Sequence, residues 1–92
     1  MSKEQDLRKL TFMVTMGGLD YDVNFDFLHS GDEAILIRRK VDEDGFVVVA
    51  EGKGYFTIYD EVDYAHGDKM FDDIILSQDE IMQILTLWAS HR

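Results

Sequence analysis

Between Leu19 and Leu28 hydrophobic and polar residues alternate almost without exception: Tyr21, Val23, Phe25 and Phe27 fall in one register, and Asp20, Asp22, Asn24 and Asp26 in the other. Successive side chains of a strand point to opposite sides, so the pattern predicts a strand with an aromatic inner face and a file of carboxylates outside. Ahead of it, Leu10 to Met16 is rich in β-forming residues and runs straight into Gly17-Gly18. Two glycines between strand-like runs suit the positive φ angles of a tight hairpin. The expectation is a first strand at Leu10–Met16 paired antiparallel with Leu19–Leu28. Residues 1–9, polar and mixed in charge, precede it as a loose end or a frayed helical turn.

Further along, His29-Ser30-Gly31-Asp32-Glu33 has the composition of a turn, and Ala34–Val41 and Phe46–Glu51 read as the third and fourth strands. Ile35, Ile37, Arg39 and Val41 share one face of the third strand; Leu36, Arg38 and Lys40 share the other. Asp42-Glu43-Asp44-Gly45 joins the two strands, with Gly45 expected in the left-handed conformation. The turn Glu51-Gly52-Lys53-Gly54 leads to a fifth strand, Tyr55–Tyr59, extendable to Val62. Phe71–Leu76 offers a short sixth.

The clearest local signal is Ser77-Gln78-Asp79-Glu80, a capping box followed by Ile81, Ile84, Leu85 and Trp88 at helical spacing. These elements predict an α+β fold. It is an antiparallel meander of five or six strands with a C-terminal amphipathic helix packed on one face, in a single domain spanning 1–92.

Composition narrows the function classes. The chain has 92 residues, 46% of them hydrophobic, enough for one modest core. It has no cysteine, which removes disulfides, thiolate metal sites and thiol nucleophiles. The start lacks an apolar signal-like region, and no apolar run approaches the roughly 20 residues of a membrane helix, so a cytoplasmic protein is expected. Nineteen acids against nine bases give a net charge of −10. Direct binding to nucleic acid, which relies on cationic neutralisation of phosphates, is disfavoured; a basic partner or a divalent cation is favoured.

Candidate chemistry is sparse. Lys40 to Glu51 resembles a calcium loop, with Asp42, Asp44, Gly45 and Glu51 at suitable positions, but Lys40 stands where the first carboxylate ligand belongs and the flanks read as strands. A hairpin turn accounts for the same residues. Gly52-Lys53-Gly54 is too short for a phosphate loop and precedes a strand. His29, His66 and His91 form no ligand pair. No catalytic residue, metal ligand or cofactor is assigned, and the chain is read as not an enzyme.

The acids themselves are grouped. Residues 17–33 sum to −5 and 60–80 to −7, while 34–40 sum to +3. Acids two apart on a strand are spaced by about 6.6–6.8 Å, against about 3.4 Å between phosphates of one DNA strand. One such face therefore offers about half the linear charge density of a DNA strand. Like charges on one face repel, a cost that solubility alone does not require. The partner-binding residues proposed on this ground are Asp20, Asp22, Asp26, Asp60, Glu61, Asp63, Asp72 and Asp73.

In size, charge and acid spacing along Asp20–Asp26 and Asp60–Asp73, the chain resembles the small phage-encoded DNA mimics, the Arn-like anti-restriction and acidic anti-CRISPR inhibitors. That resemblance implies a decoy, often dimeric, that blocks the basic cleft of a nuclease or another DNA-binding protein. Two alternatives stay open. One is an acidic adaptor or immunity-type protein whose basic partner need not bind DNA; the other is a metal-dependent accessory or enzyme domain built on the paired carboxylates. A homodimer through an unpaired edge strand such as Phe46–Ala50 is a further expectation.

Overall fold

The structure, a computed structural model, describes residues 2–24, 28–29, 32–62 and 74–90. In chain order the elements are α1 (Lys3–Met16), β1 (Tyr21–Asn24), β2 (Leu28–His29), β3 (Asp32–Arg39), β4 (Gly45–Gly52), β5 (Tyr55–Asp60), β6 (Leu76–Ser77) and α2 (Gln78–Ser90). The fold is the expected α+β one. An antiparallel meander runs β1-β3-β4-β5-β6, β2 pairs with the start of β3, and the C-terminal helix packs on one face.

The N-terminal segment departs from expectation. Leu10–Met16 is not a first strand but the second half of a helix, and Gly17-Gly18 closes that helix instead of turning a hairpin. Ser2 begins it with a capping box: its Oγ accepts the Gln5 N–H at 3.1 Å, and the Gln5 side chain accepts the Ser2 N–H at 3.2 Å. Leu7, Leu10 and Val14 then recur at helical spacing and are buried. The same stretch also reads with period two, through Leu10, Phe12, Val14 and Met16, and packing chooses between the two. The Gly17 N–H donates to the Met13 carbonyl at 2.9 Å, and Gly18 follows with φ of +71°.

One face of the sheet carries Tyr21, Ile35, Ile37, Phe46, Val48, Ala50, Phe56 and Ile58, covered by Leu7, Leu10 and Val14 of α1 and by Ile81 and Leu85 of α2. The helix predicted from Ser77 forms as read. The Ser77 N–H donates to Glu80 Oε1 at 3.0 Å, and the Glu80 N–H donates to Ser77 Oγ at 3.3 Å. A second, smaller apolar cluster, Ala34, Leu36, Val47 and Val49, lies on the opposite face. In β3 Ile35 and Ile37 lie on the helix side, Leu36 is buried on the opposite face, and Arg38 and Lys40 are exposed.

Other boundaries shift. The strand read as Leu19–Leu28 contributes β1 and Leu28, with 25–27 outside the described residues, and β3 starts at Asp32, inside the stretch read as a turn. Ile74 and Ile75 are not strand residues, and β6 is Leu76–Ser77; Phe71 to Asp73 lie outside the described residues. Phe46–Ala50 is not an edge: it belongs to β4, paired on both sides by β3 and β5. Gly45 is not left-handed. Glu43 takes that conformation at φ of 61°, while Gly45 opens β4, where its missing side chain serves a different purpose, described below.

Polar contacts from Tyr21 and Arg39 fasten α2 to the sheet. Tyr21 Oη donates to the Leu85 carbonyl at 2.9 Å, and Arg39 Nη1 donates to the Trp88 carbonyl at 2.6 Å. The Arg39 guanidinium also lies 5.6 Å from the centre of the Trp88 ring, and that ring packs against Phe46. On the other side of the domain, the buried Asp6 accepts the Gly54 N–H at 3.0 Å, pinning α1 to a turn in which Gly52, Lys53 and Gly54 all have positive φ.

Candidate functional site

Antiparallel pairing gathers four chain segments at one end of the sheet: the start of β1, the end of β3, the turn before β4, and the end of β5. Asp22 faces Arg38 across the β1/β3 ladder, Arg38 faces Gly45 across β3/β4, and Phe46 faces Asp60 across β4/β5. Among the described residues seven carboxylates meet there, Asp20, Asp22, Asp42, Glu43, Asp44, Asp60 and Glu61, against Arg38, Arg39 and Lys40, a charge of −4 for these residues.

Of the residues singled out in the sequence, Asp20, Asp22 and Glu61 come together on one face, with Arg38 and Lys40 between them. Lys40 Nζ lies 3.8 Å from Asp20 Oδ1 and 3.9 Å from Asp22 Oδ1; the two aspartate side chains remain 62% and 76% exposed. One half-exposed ammonium shared at that range offsets one of two charges and binds neither tightly. Arg38 and Glu61 form a closer pair, Nε to Oε1 at 2.9 Å and Nη2 to Oε2 at 2.7 Å.

Gly45 makes that pair possible. The Glu61 side chain crosses β4 above Gly45 to reach Arg38, and a Cβ there would overlap the carboxylate. The two side-chain hydrogen bonds from Arg38 hold the Glu61 carboxyl below the usual carboxylate range, and they raise the Arg38 guanidinium in return.

Asp60 sits at the same end in the opposite strand register, so the adjacent acids Asp60 and Glu61 diverge. Asp60 Oδ1 accepts the Val62 N–H at 2.9 Å. Asp26, Asp63, Asp72 and Asp73 lie outside the described residues.

The carboxylates of the calcium-like stretch hold a guanidinium. Both Asp42 oxygens accept from Arg39, Asp44 Oδ2 stands 3.4 Å from Arg39 Nη2, and the Asp44 N–H donates to Asp42 Oδ1 at 3.2 Å. The hydrogen bonds from Arg39 hold the Asp42 carboxyl below its usual range. Among the described residues no set of three or more His, Cys, Asp or Glu side chains is arranged to hold a metal ion.

Between β1 and the end of β3 the surface forms a cleft of about 300 Å³, lined by Asp22, Asn24, Leu36, Arg38, Lys40 and Glu43 among others. Of its charged lining residues sequence reasoning singled out Asp22 and left Arg38, Arg39, Lys40 and Glu43 out of the site. The signal for Arg38 and Lys40 was present as a +3 segment, but that number did not place them opposite Asp20 and Asp22. Val41 and Val62 are strongly exposed at the same end, so apolar contact area lies among the charges.

Among the described residues no helix is long and apolar enough to cross a membrane. Comparison with family models, curated proteins and solved structures finds no match to this chain.

Proposed function

We propose that this chain is a non-catalytic acidic docking protein that binds a basic surface of a partner protein through the Asp20, Asp22, Asp60 and Glu61 end of its sheet. The convergence of three separate acidic segments at that end, Asp20 and Asp22, Asp42 to Asp44, and Asp60 and Glu61, carries the reading. Seven carboxylates with two exposed valines among them offer the composition of an interface: charge that steers a basic partner and apolar area that desolvates on contact.

The more specific form of this reading is the decoy, in which the partner surface is the basic cleft of a nuclease or another DNA-binding protein and Asp63, Asp72 and Asp73 extend the charge. The net charge of −10 supports it. The position of Arg38 and Lys40 between the carboxylates favours the broader form, an adaptor or immunity-type inhibitor, because a partner that matches this end also presents acceptors to those two bases.

A pull-down from host extract at low and high salt tests both. The proposal expects a basic protein released by salt and lost when Asp20 and Asp22 are changed to Lys. Displacement of that protein by duplex DNA supports the decoy form; simultaneous binding of DNA and this protein leaves only the broader form. Retention of the partner by the Asp20→Lys/Asp22→Lys protein overturns both.

A further inference from the structure

The open edge of β1 carries an inference that rests on the docking reading and names its mode. Among the described residues β1 ends the sheet. The Lys40 N–H donates to the Asp20 carbonyl at 3.1 Å, which sets the phase of the ladder. By antiparallel alternation Asp20, Asp22 and Asn24 turn their backbone groups toward β3, and Tyr21 and Val23 turn theirs outward. The Tyr21 N–H is used locally, donating to the Leu19 carbonyl at 2.9 Å. The Tyr21 carbonyl and both backbone groups of Val23 remain aimed away from the sheet.

We propose that this edge accepts an extended segment of the partner as an added strand, with Lys or Arg alternating with apolar residues. The side chains dictate the alternation. Incoming residues opposite Asp20 and Asp22 fall in non-hydrogen-bonded pairs, where cross-strand side chains approach most closely, so cations are selected there. Residues opposite Tyr21 and Val23 exchange the backbone hydrogen bonds and project beside the half-buried Leu19 and Val23, at the border of the core, where apolar groups fit.

A second copy of this chain is disfavoured as the occupant by the same charges. Two-fold pairing of β1 with itself sets Asp22 against Asp22 where Tyr21 lies opposite Val23, and Asp20 against Asp22 where Tyr21 lies opposite itself, and like charges directly opposite destabilise a pair. The acids that guard this edge against itself admit a basic strand.

Three labelled seven-residue peptides test this by fluorescence anisotropy against the intact protein. The first alternates Lys with Val or Ile, the second has the same composition with its lysines contiguous, and the third is the first with N-methyl groups on the amides of its apolar residues. Strand addition expects the first to bind and the other two to bind about tenfold more weakly or worse, since each lost or misplaced backbone bond is worth a severalfold factor. Equal binding of all three overturns strand addition while leaving simple acidic docking in place. Failure of the first peptide to bind also overturns it, whereas the docking reading is judged separately by the pull-down. The N-methyl arm leaves the protein unaltered, so no result turns on a variant that fails to fold.

Discussion

Replacing Leu10 and Phe12 separately by Ala discriminates between the two ways of reading residues 10–16. In a strand the two side chains share a face; in α1 they lie on opposite sides. Leu10 is 0% exposed and packed with Leu7 and Val14 against the sheet, whereas Phe12 is 63% exposed. Truncating a fully buried leucine costs about 2.7–5 kcal/mol through lost transfer energy and the cavity left behind. At about 0.05–0.15 kcal/mol per residue, a 92-residue domain has roughly 5–14 kcal/mol in all, so Leu10→Ala removes a large share. With a shift of about 4–8 °C per kcal/mol for a domain of this size, a loss of about 3 kcal/mol lowers Tm by roughly 12–24 °C. Phe12→Ala costs under about 1 kcal/mol, because the ring is mostly in water and alanine is the better helix former. Urea unfolding followed through the single tryptophan, Trp88, measures both. Equal losses from the two substitutions would refute the helix.

Three further outcomes follow from the same contacts. Asp6→Ala leaves the Gly54 N–H without its acceptor at the α1–turn junction and should cost about 1–3 kcal/mol in urea unfolding; an unchanged midpoint contradicts this. Burial pushes the Tyr21 hydroxyl from its ordinary 10.0 up to about 12; because the folded value is the higher one, this stability is present below pH 10 and drains away as pH rises toward 12. Tyr21→Phe should cost about 0.5–1.5 kcal/mol near pH 7 and flatten that alkaline loss, read from melts across the range. Gly45→Ala should drive Glu61 off Arg38, so that in a carbon-detected carboxyl titration the Glu61 midpoint rises toward its ordinary value; the stability lost as pH falls through the depressed midpoint disappears with it. An unmoved Glu61 midpoint would show that Gly45 does not make room for the pair.

How far the sequence could be read depended on whether a signal was local. The Ser77 capping box and the Ile81–Trp88 spacing are complete within one element, and α2 forms as expected. Ile35 and Ile37 share one face of β3 as read, but the phase toward the end of that strand was ambiguous, because Leu36 is apolar too and Arg39 falls on the face of the isoleucines. Residues 10–16 were not readable, because Thr, Phe and Val favour strands while Leu7, Leu10 and Val14 satisfy a helix; the deciding Ser2–Gln5 box opens eight residues before the ambiguous run.

Gly45 illustrates a second kind of miss. A glycine after three acids suggests a turn conformation, but the need for it comes from Glu61, which sequence separation hides. The site followed the same rule. The acid clusters could be counted along the chain, yet the convergence of Asp20 and Asp22 with Glu61 on one face, with Asp60 turned to the other, and the placement of Arg38 and Lys40 between the converging acids, are products of strand register.

The most direct measurement of the docking claim is the affinity of the captured partner as a function of salt, for the wild-type chain and for Asp20→Lys/Asp22→Lys. The account predicts that wild-type affinity falls steeply with ionic strength, and that the double variant binds at least tenfold more weakly at low salt with a flatter dependence. Equal affinity and equal salt dependence for the two proteins would contradict it.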